Sequence, residues 1–189
     1  LQAALGIAYL SLGHVSRSLG PFRAAVRLEG DEPERHILLG TALMLVGDLP
    51  GAARSFRGAI HRDGNSARAH GNLGSVLLLQ GDARGGRQHL QRAALLAPKR
   101  ATFLANLSYA ELLNEEPKDA KELAERAIKL DPELASAWLN LGLAQVALKD
   151  RASARASFEK AAGLDPGDPR PVNNLRDLDE LDSAKNAAP

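Results

Sequence analysis

The chain of 189 residues contains no cysteine. That excludes a disulfide framework and a thiolate zinc site, and it leaves the compartment open, since an oxidising compartment also accepts cysteine-free proteins. Aromatic residues are scarce, at 4%. Single-strand nucleic-acid binders interleave cations with stacking rings. The arginine-rich first half offers only Tyr9, Phe22 and Phe56, and the phenylalanines read as core, so no nucleic-acid partner is expected. No apolar run approaches the roughly 20 residues that span a bilayer, which argues against membrane insertion. An excess of one charge is missing too, because 24 Lys+Arg face 23 Asp+Glu, and a general affinity for polyanions is therefore not expected. The chain begins at Leu1 without a Met, already inside a helical pattern, and reads as a fragment or processed product.

What is present is a period. Leu5, Leu39, Leu73, Leu107, Leu141 and Leu175 follow one another every 34 residues. Phe22, Phe56, Leu90, Ala124 and Phe158 keep the same step, as do Ala25, Ala59, Ala93, Ala127 and Ala161. Pro98, Pro132 and Pro166 continue a series begun by Gly30 and Gly64. Several series in one register mark internal repeats. Within 135–168, Trp138, Leu141, Gly142 and Gln145 fall at i, i+3, i+4 and i+7, one face of a first helix, and Ala154, Phe158 and Ala161 form the stripe of a second. Small residues at Gly142 and Ala154 let the two approach closely. Gly47-Asp48 and Gly81-Asp82 punctuate the turn inside a pair. Asp131-Pro132 and Asp165-Pro166 are expected to start helices, with Asp as cap and Pro in the first position.

This pattern resembles the tetratricopeptide repeat, whose signature is W-x2-L-G-x2-Y, then A-x3-F, A and P over about 34 residues. The unit at 135–168 matches at Trp138, Leu141, Gly142, Ala154, Phe158, Ala161 and Pro166, and departs at Gln145, where Tyr is usual. The resemblance implies an all-α fold, a right-handed α-solenoid (superhelix) of antiparallel helix pairs. Its units would be 1–32, 33–66, 67–100, 101–134 and 135–168, followed by a capping helix at 169–183 and a disordered tail at 184–189. Since one repeat cannot bury its apolar face alone, Leu1, Leu5 and Ala8 call for a further repeat or a partner ahead of them.

In this family the first helices line the concave side. At 100° per residue, positions two, six, nine and thirteen of each unit point away from the packing face and into that groove. They hold Asn72, Asn106, Asn140 and Asn174, one asparagine in each of the last three units and one in the cap. Such a ladder either grips the backbone of an extended peptide, since an amide both donates and accepts, or bonds within the scaffold. Leu45, Leu79 and Leu113, with Tyr109 and Leu143, either make an apolar binding strip or tuck between neighbouring helices. Arg68 and Arg170 are the groove cations. No lysine occupies the places Ile37, Thr41, Gly71, Ser75, Ala105 and Tyr109, which sets aside a clamp for chaperone-tail carboxylates.

Charge is uneven along the chain: 13 Lys+Arg against 7 Asp+Glu in residues 1–100, and 11 against 16 thereafter. Many of the early cations, Arg54, Arg57 and Arg87 among them, sit on second helices and form either a convex patch for an acidic partner or a solvated face. Head-to-tail self-association of the basic end with the acidic cap is a further possibility. His36 and His70 stand where Trp138 stands and read as packing residues, while His14, His61 and His89 fall at turns or outer faces. No phosphate loop, catalytic triad, metal or cofactor site emerges. The expected role is a protein-interaction scaffold or adaptor holding a peptide or helix in the groove, with no enzyme activity. Its alternatives are the substrate-recruiting arm of a larger enzyme, or a bacterial envelope factor for pilus or secretion assembly. The expected location is the cytoplasm, with the periplasm as the alternative if a signal peptide precedes Leu1.

Overall fold

A computed structural model describes residues 1–28 and 30–187, with side chains through residue 183. The described residues form eleven α-helices and no strand, and divide into two compact units, Leu1–Ala97 and Pro98–Pro189. The first unit holds α1 (Gln2–Ser11), α2 (Val15–Leu28), α3 (Pro33–Leu45), α4 (Leu49–Arg62), α5 (Ala67–Leu79) and α6 (Ala83–Leu96). The second holds α7 (Ala101–Leu113), α8 (Pro117–Leu130), α9 (Ala135–Ala147), α10 (Arg151–Leu164) and α11 (Pro169–Ala187). Within each unit, successive helices pack as pairs, and each first helix also touches the first helix of its neighbour: α1 on α3, α3 on α5, α7 on α9.

The 34-residue period is a period of backbone conformation. Gly13, Gly47 and Gly81 turn the chain between the helices of their pairs at φ of 74°, 82° and 83°. Glu115 and Lys149 occupy the same step in the second unit, at 62° and 65°. A side chain there costs about 1–2 kcal/mol, because Cβ crowds the following carbonyl. The next residue caps the second helix: Asp48, Asp82 and Asp150 accept from the N–H of Gly51, Gly85 and Ser153 at 2.9, 2.8 and 3.2 Å. Ser153, through its hydroxyl first and its N–H second, holds the Asp150 carboxyl below the usual range.

The Asp-Pro pairs behave otherwise than the sequence suggests. Asp131 and Asp165 end α8 and α10 as C-caps, and the next helices begin at Ala135 and Pro169. Asp131 Oδ1 accepts from the Glu133 N–H at 3.1 Å and Asp165 Oδ1 from the Gly167 N–H at 3.2 Å. An aspartate carboxylate folds back onto the amide two residues on as readily as it caps a helix, and Pro suits the turn equally. A second departure lies at the C-terminus. The helix expected at 169–183 runs on to Ala187, into the tail expected to be disordered, and the last two residues lie outside the described set.

The core follows the repeat. Phe22, Phe56 and Phe158 are wholly buried, each pressed against the small residue of its partner helix. A Cβ on Gly40 would stand 2.6 Å from the Phe56 ring, so the glycine is what lets α3 and α4 close on that ring. Burial of such a side chain contributes about 1.5–3 kcal/mol. In the first unit these rings join Ile37, Leu39, Leu43, Leu73, Val76 and Leu77, and in the second Phe158 gathers with Leu139, Ala161 and Leu178. At the start of the chain, Leu1, Leu5 and Ala8 are exposed, whereas Leu39, which repeats Leu5, is buried.

Candidate functional site

Burial separates two faces of each first helix. On α3, Ile37, Leu39, Gly40, Ala42 and Leu43 are buried, while Leu38 and Thr41 are half-buried and Leu45 is 58% exposed. On α5, Asn72 and Ser75 are half-buried and Leu79 is 65% exposed. The second unit repeats this on α7, with Asn106 half-buried, Tyr109 40% exposed and Leu113 44% exposed. Leu45 and Leu79 thus open the first unit's face to solvent, and Tyr109, Leu113 and Leu181 the second's.

The asparagines are not alike. Asn140 is only 6% exposed, and its Nδ2–H donates 2.8 Å to the carbonyl oxygen of Ala105 on α7. A buried amide bridging two first helices is a scaffold bond, and this rung is not open to a partner. Asn174 donates to the Arg170 carbonyl one turn back on α11, at 2.9 Å. Asn106 also has a hydrogen-bonding or electrostatic partner. Asn72 makes no side-chain hydrogen bond among the described residues and keeps its donors and acceptor. Leu143, expected on the open face, packs against the Leu139–Phe158–Leu178 cluster beside Trp138 and Leu175. Both cations of this face are occupied: Arg68 pairs with Glu34 across α5 and α3, and Arg170 holds Asp168 through Nε at 2.9 Å and its terminal nitrogen at 2.7 Å.

The histidines show what the tryptophan position does. Trp138 Nε1–H donates 2.8 Å to the carbonyl of Pro132, six residues back. His36 Nε2 lies 3.2 Å from the Gly30 carbonyl and His70 Nε2 3.2 Å from that of Gly64, in the same register. A carbonyl only accepts, so His70 carries its proton on Nε2, and its bare Nδ1 accepts from the Nδ1–H of His89, 3.0 Å away. His89 is therefore not on an outer face: it is half-buried on α6, its ring 5.2 Å from that of His70. Burial foremost lowers both pKa values. His70 adds to the lowering at His89, as does Arg57, while Asp82 opposes it. At His70 the Gly64 bond and Asp63 raise the value and Arg92 lowers it. Among the described residues no group of three or more His, Asp or Glu gathers around a metal-sized space.

The second helices differ sharply between units. Helices α2, α4 and α6 carry nine arginines (Arg17, Arg23, Arg27, Arg54, Arg57, Arg62, Arg84, Arg87 and Arg92) and no Asp or Glu. Arg62 bonds the Gly58 carbonyl and Arg92 the Asn65 side chain. Arg17, Arg23, Arg27, Arg54, Arg57 and Arg84 are exposed and form no ion pair among the described residues. In the second unit several cations are paired, Lys121 with Glu125, Arg126 with Glu122, Arg155 with Asp179 and Asp182, and Arg151 with Asp182, while Lys118, Lys129, Lys149 and Arg176 form no ion pair among the described residues. Two clefts accompany these helices. One of about 280 Å³ lies between α2 and α4 over α3, with Arg23 and Arg54 on its walls. The other, about 940 Å³, is bounded by Val146, Lys149, Arg151, Arg155, Leu181 and Asp182 on α9–α11 and their connecting turn. The sequence places Arg23 with the other second-helix arginines, and only the cleft joins it to Arg54, 31 positions away.

Comparison with curated proteins finds no match. Among solved structures the chain is similar to pilF of Pseudomonas aeruginosa (TM-score 0.78, 23% identity, over 94% of this chain and 85% of that one). It is also similar to residues 41–end of MamA from Desulfovibrio magneticus RS-1 (0.76, 25%, 87% and 93%). A third likeness is to YrrB, described as a protein of this repeat type with an unusual peptide-binding site (0.72, 17%, 93% and 90%). The tetratricopeptide repeat sequence profile matches residues 37–102 and 106–169, more than half of the chain. With that match, the paired helices and the register shared by turn, cap and core, the chain belongs to the tetratricopeptide repeat family.

Proposed function

We propose that this protein is a non-catalytic interaction scaffold that holds a peptide or helical segment of another protein on the open face of its first helices. Membership of a family built for protein binding supports a scaffold role. The observation that carries the finer reading is the recurrence of large apolar side chains in solvent: Leu45 and Leu79 on the first unit, Tyr109 and Leu113 on the second. Each would lose solvent exposure on docking, while their repeat-mates at packing positions are already buried. Within each unit, large apolar side chains left in solvent on one helix face mark a binding surface. Polar contacts would come from Asn72, with Asn106, Asn174, Arg68 and Arg170 at the edges, and the buried amide of Asn140 holds the scaffold under them. No helix among the described residues is long and apolar enough to cross a membrane.

The test is a peptide-display selection on the intact chain, followed by calorimetry of the selected peptides. Tyr109→Ala is expected to weaken binding by about 1–3 kcal/mol, the usual cost of removing an aromatic anchor, with the helical circular dichroism unchanged. Peptides indifferent to Tyr109→Ala, Leu113→Ser and Leu79→Ser together overturn the assignment of this face.

A further inference from the structure

We infer that the cleft between α2 and α4 is a second docking site, for an acidic segment of a partner protein that carries an apolar side chain between carboxylates. Three observations lead there. The first is charge without a counterpart. The three second helices of the first unit bear nine arginines and no acid, and Arg23 and Arg54, the two on the cleft walls, are exposed and unpaired among the described residues. Where acids are at hand the cations of this chain do pair, as Lys121 and Arg126 on α8 and Arg155 of α10 with α11 show, whereas α2, α4 and α6 offer no acid of their own. An unmatched run raises the local concentration of anions and steers their approach.

The second observation is the shape and lining of the cleft. Its lining between the arginines is mixed, with Val26, Leu39 and Leu43 beside His36 and Ser55, and at about 280 Å³ it lies just under the ~300–1,000 Å³ typical of small-molecule sites. That is room for a side chain, not for a drug-sized ligand. Asp48 also lines the space, but its carboxylate is turned to the N-terminus of α4, accepting from the Gly51 N–H at 2.9 Å, and is committed there as a cap. The third is the kind of cation. The first unit has eleven arginines and no lysine, and the guanidinium fork binds a carboxylate through two parallel N–H bonds where an ammonium offers a point charge.

Other anions fit less well. Stacking of bases needs exposed rings among the cations, and Phe22 and Phe56 are wholly buried. A flat bilayer surface cannot enter a notch between two helices, so it would leave the apolar part of the lining unused. An extended acidic polypeptide satisfies the arginines and the lining between them together, with carboxylates on Arg23 and Arg54 and an apolar side chain between them.

The experiment uses the full chain and a fluorescein-labelled peptide of alternating Glu and Asp with one central Leu, followed by fluorescence polarisation. Two double variants of equal net charge separate the cleft from the general field: Arg23→Glu with Arg54→Glu, and Arg17→Glu with Arg84→Glu. Near physiological salt, charges are screened beyond about 8 Å. The cleft variant is then expected to weaken binding about tenfold or more, and the distant variant less than about threefold. Exchanging the central Leu for Ser should weaken binding to the wild-type chain, while Tyr109→Ala should not, which keeps this result separate from the first-helix face. Equal losses in the two double variants, no binding of the peptide, or tighter binding of phosphatidylglycerol vesicles or a single-stranded oligonucleotide would each overturn the inference.

Discussion

Single residues carry a pH sensitivity that periodicity alone did not display. His36 and His70 could be recognised as stand-ins for Trp138, because the position demands a ring whose N–H reaches a carbonyl six residues back. His89 could not, because its partner is 19 residues away and the meeting of α5 with α6 decides which way it faces. Burial lowers the pKa of His36, His70 and His89 from the ordinary value of 6.5, so the folded chain binds fewer protons than the unfolded chain in that range. The sign follows: stability is complete above about pH 6.5 and falls as pH drops through that value towards the lower folded ones. Urea midpoints measured from pH 8 to pH 5.5 should decline, and His89→Gln should make the decline shallower. Identical slopes in wild type and variant would show that the pair is not what binds the proton.

At the scale of the helix, the chain repeats its geometry more faithfully than its residues. The turn between paired helices keeps a positive φ in all five pairs, yet the last two fill it with Glu115 and Lys149. Glycine there relieves the clash of Cβ and costs some chain entropy in the unfolded state, about 0.4–1 kcal/mol. Glu115→Gly and Lys149→Gly are each expected to stabilise by about 0.5–1 kcal/mol, read from urea denaturation at neutral pH. Alanine at either place should give no such gain. Helix positions were legible because apolar spacing at 3.6 residues and a 34-residue repeat reinforce each other at every step. Helix boundaries at Asp131-Pro132 and Asp165-Pro166 were not, since the same dipeptide serves a helix start or the turn before one.

Over the whole molecule, stability is a sum of neighbouring contacts rather than one central core. Leu178 of α11 is almost fully buried against the Phe158 cluster of the second unit. Leu178→Ala should cost about 2–5 kcal/mol. Because repeats couple to their neighbours, hydrogen exchange should quicken first in α9, α10 and α11, with α1–α4 retaining their protection. Uniform acceleration along the chain would mean a single cooperative unit instead. The same locality lets two surfaces be tested independently: apolar on the first helices, arginine-rich on the second helices of the first unit.

Amino-acid order alone determined the family and the helix pairs, because a helical period converts spacing directly into direction. It equally placed the arginines of α2, α4 and α6 on one series of helices without acids. What only the tertiary structure decided was which polar groups were already taken. Asn140 and Asn72 occupy one repeat position, yet the first is bonded to Ala105 and buried, while the second is half-buried without a side-chain bond among the described residues. Leu143 and Tyr109, one repeat apart, diverge likewise, the first packed against the core and the second 40% exposed. Repeat position sets the direction of a side chain, but its partner comes from a neighbouring helix, and only packing brings the two within reach of each other.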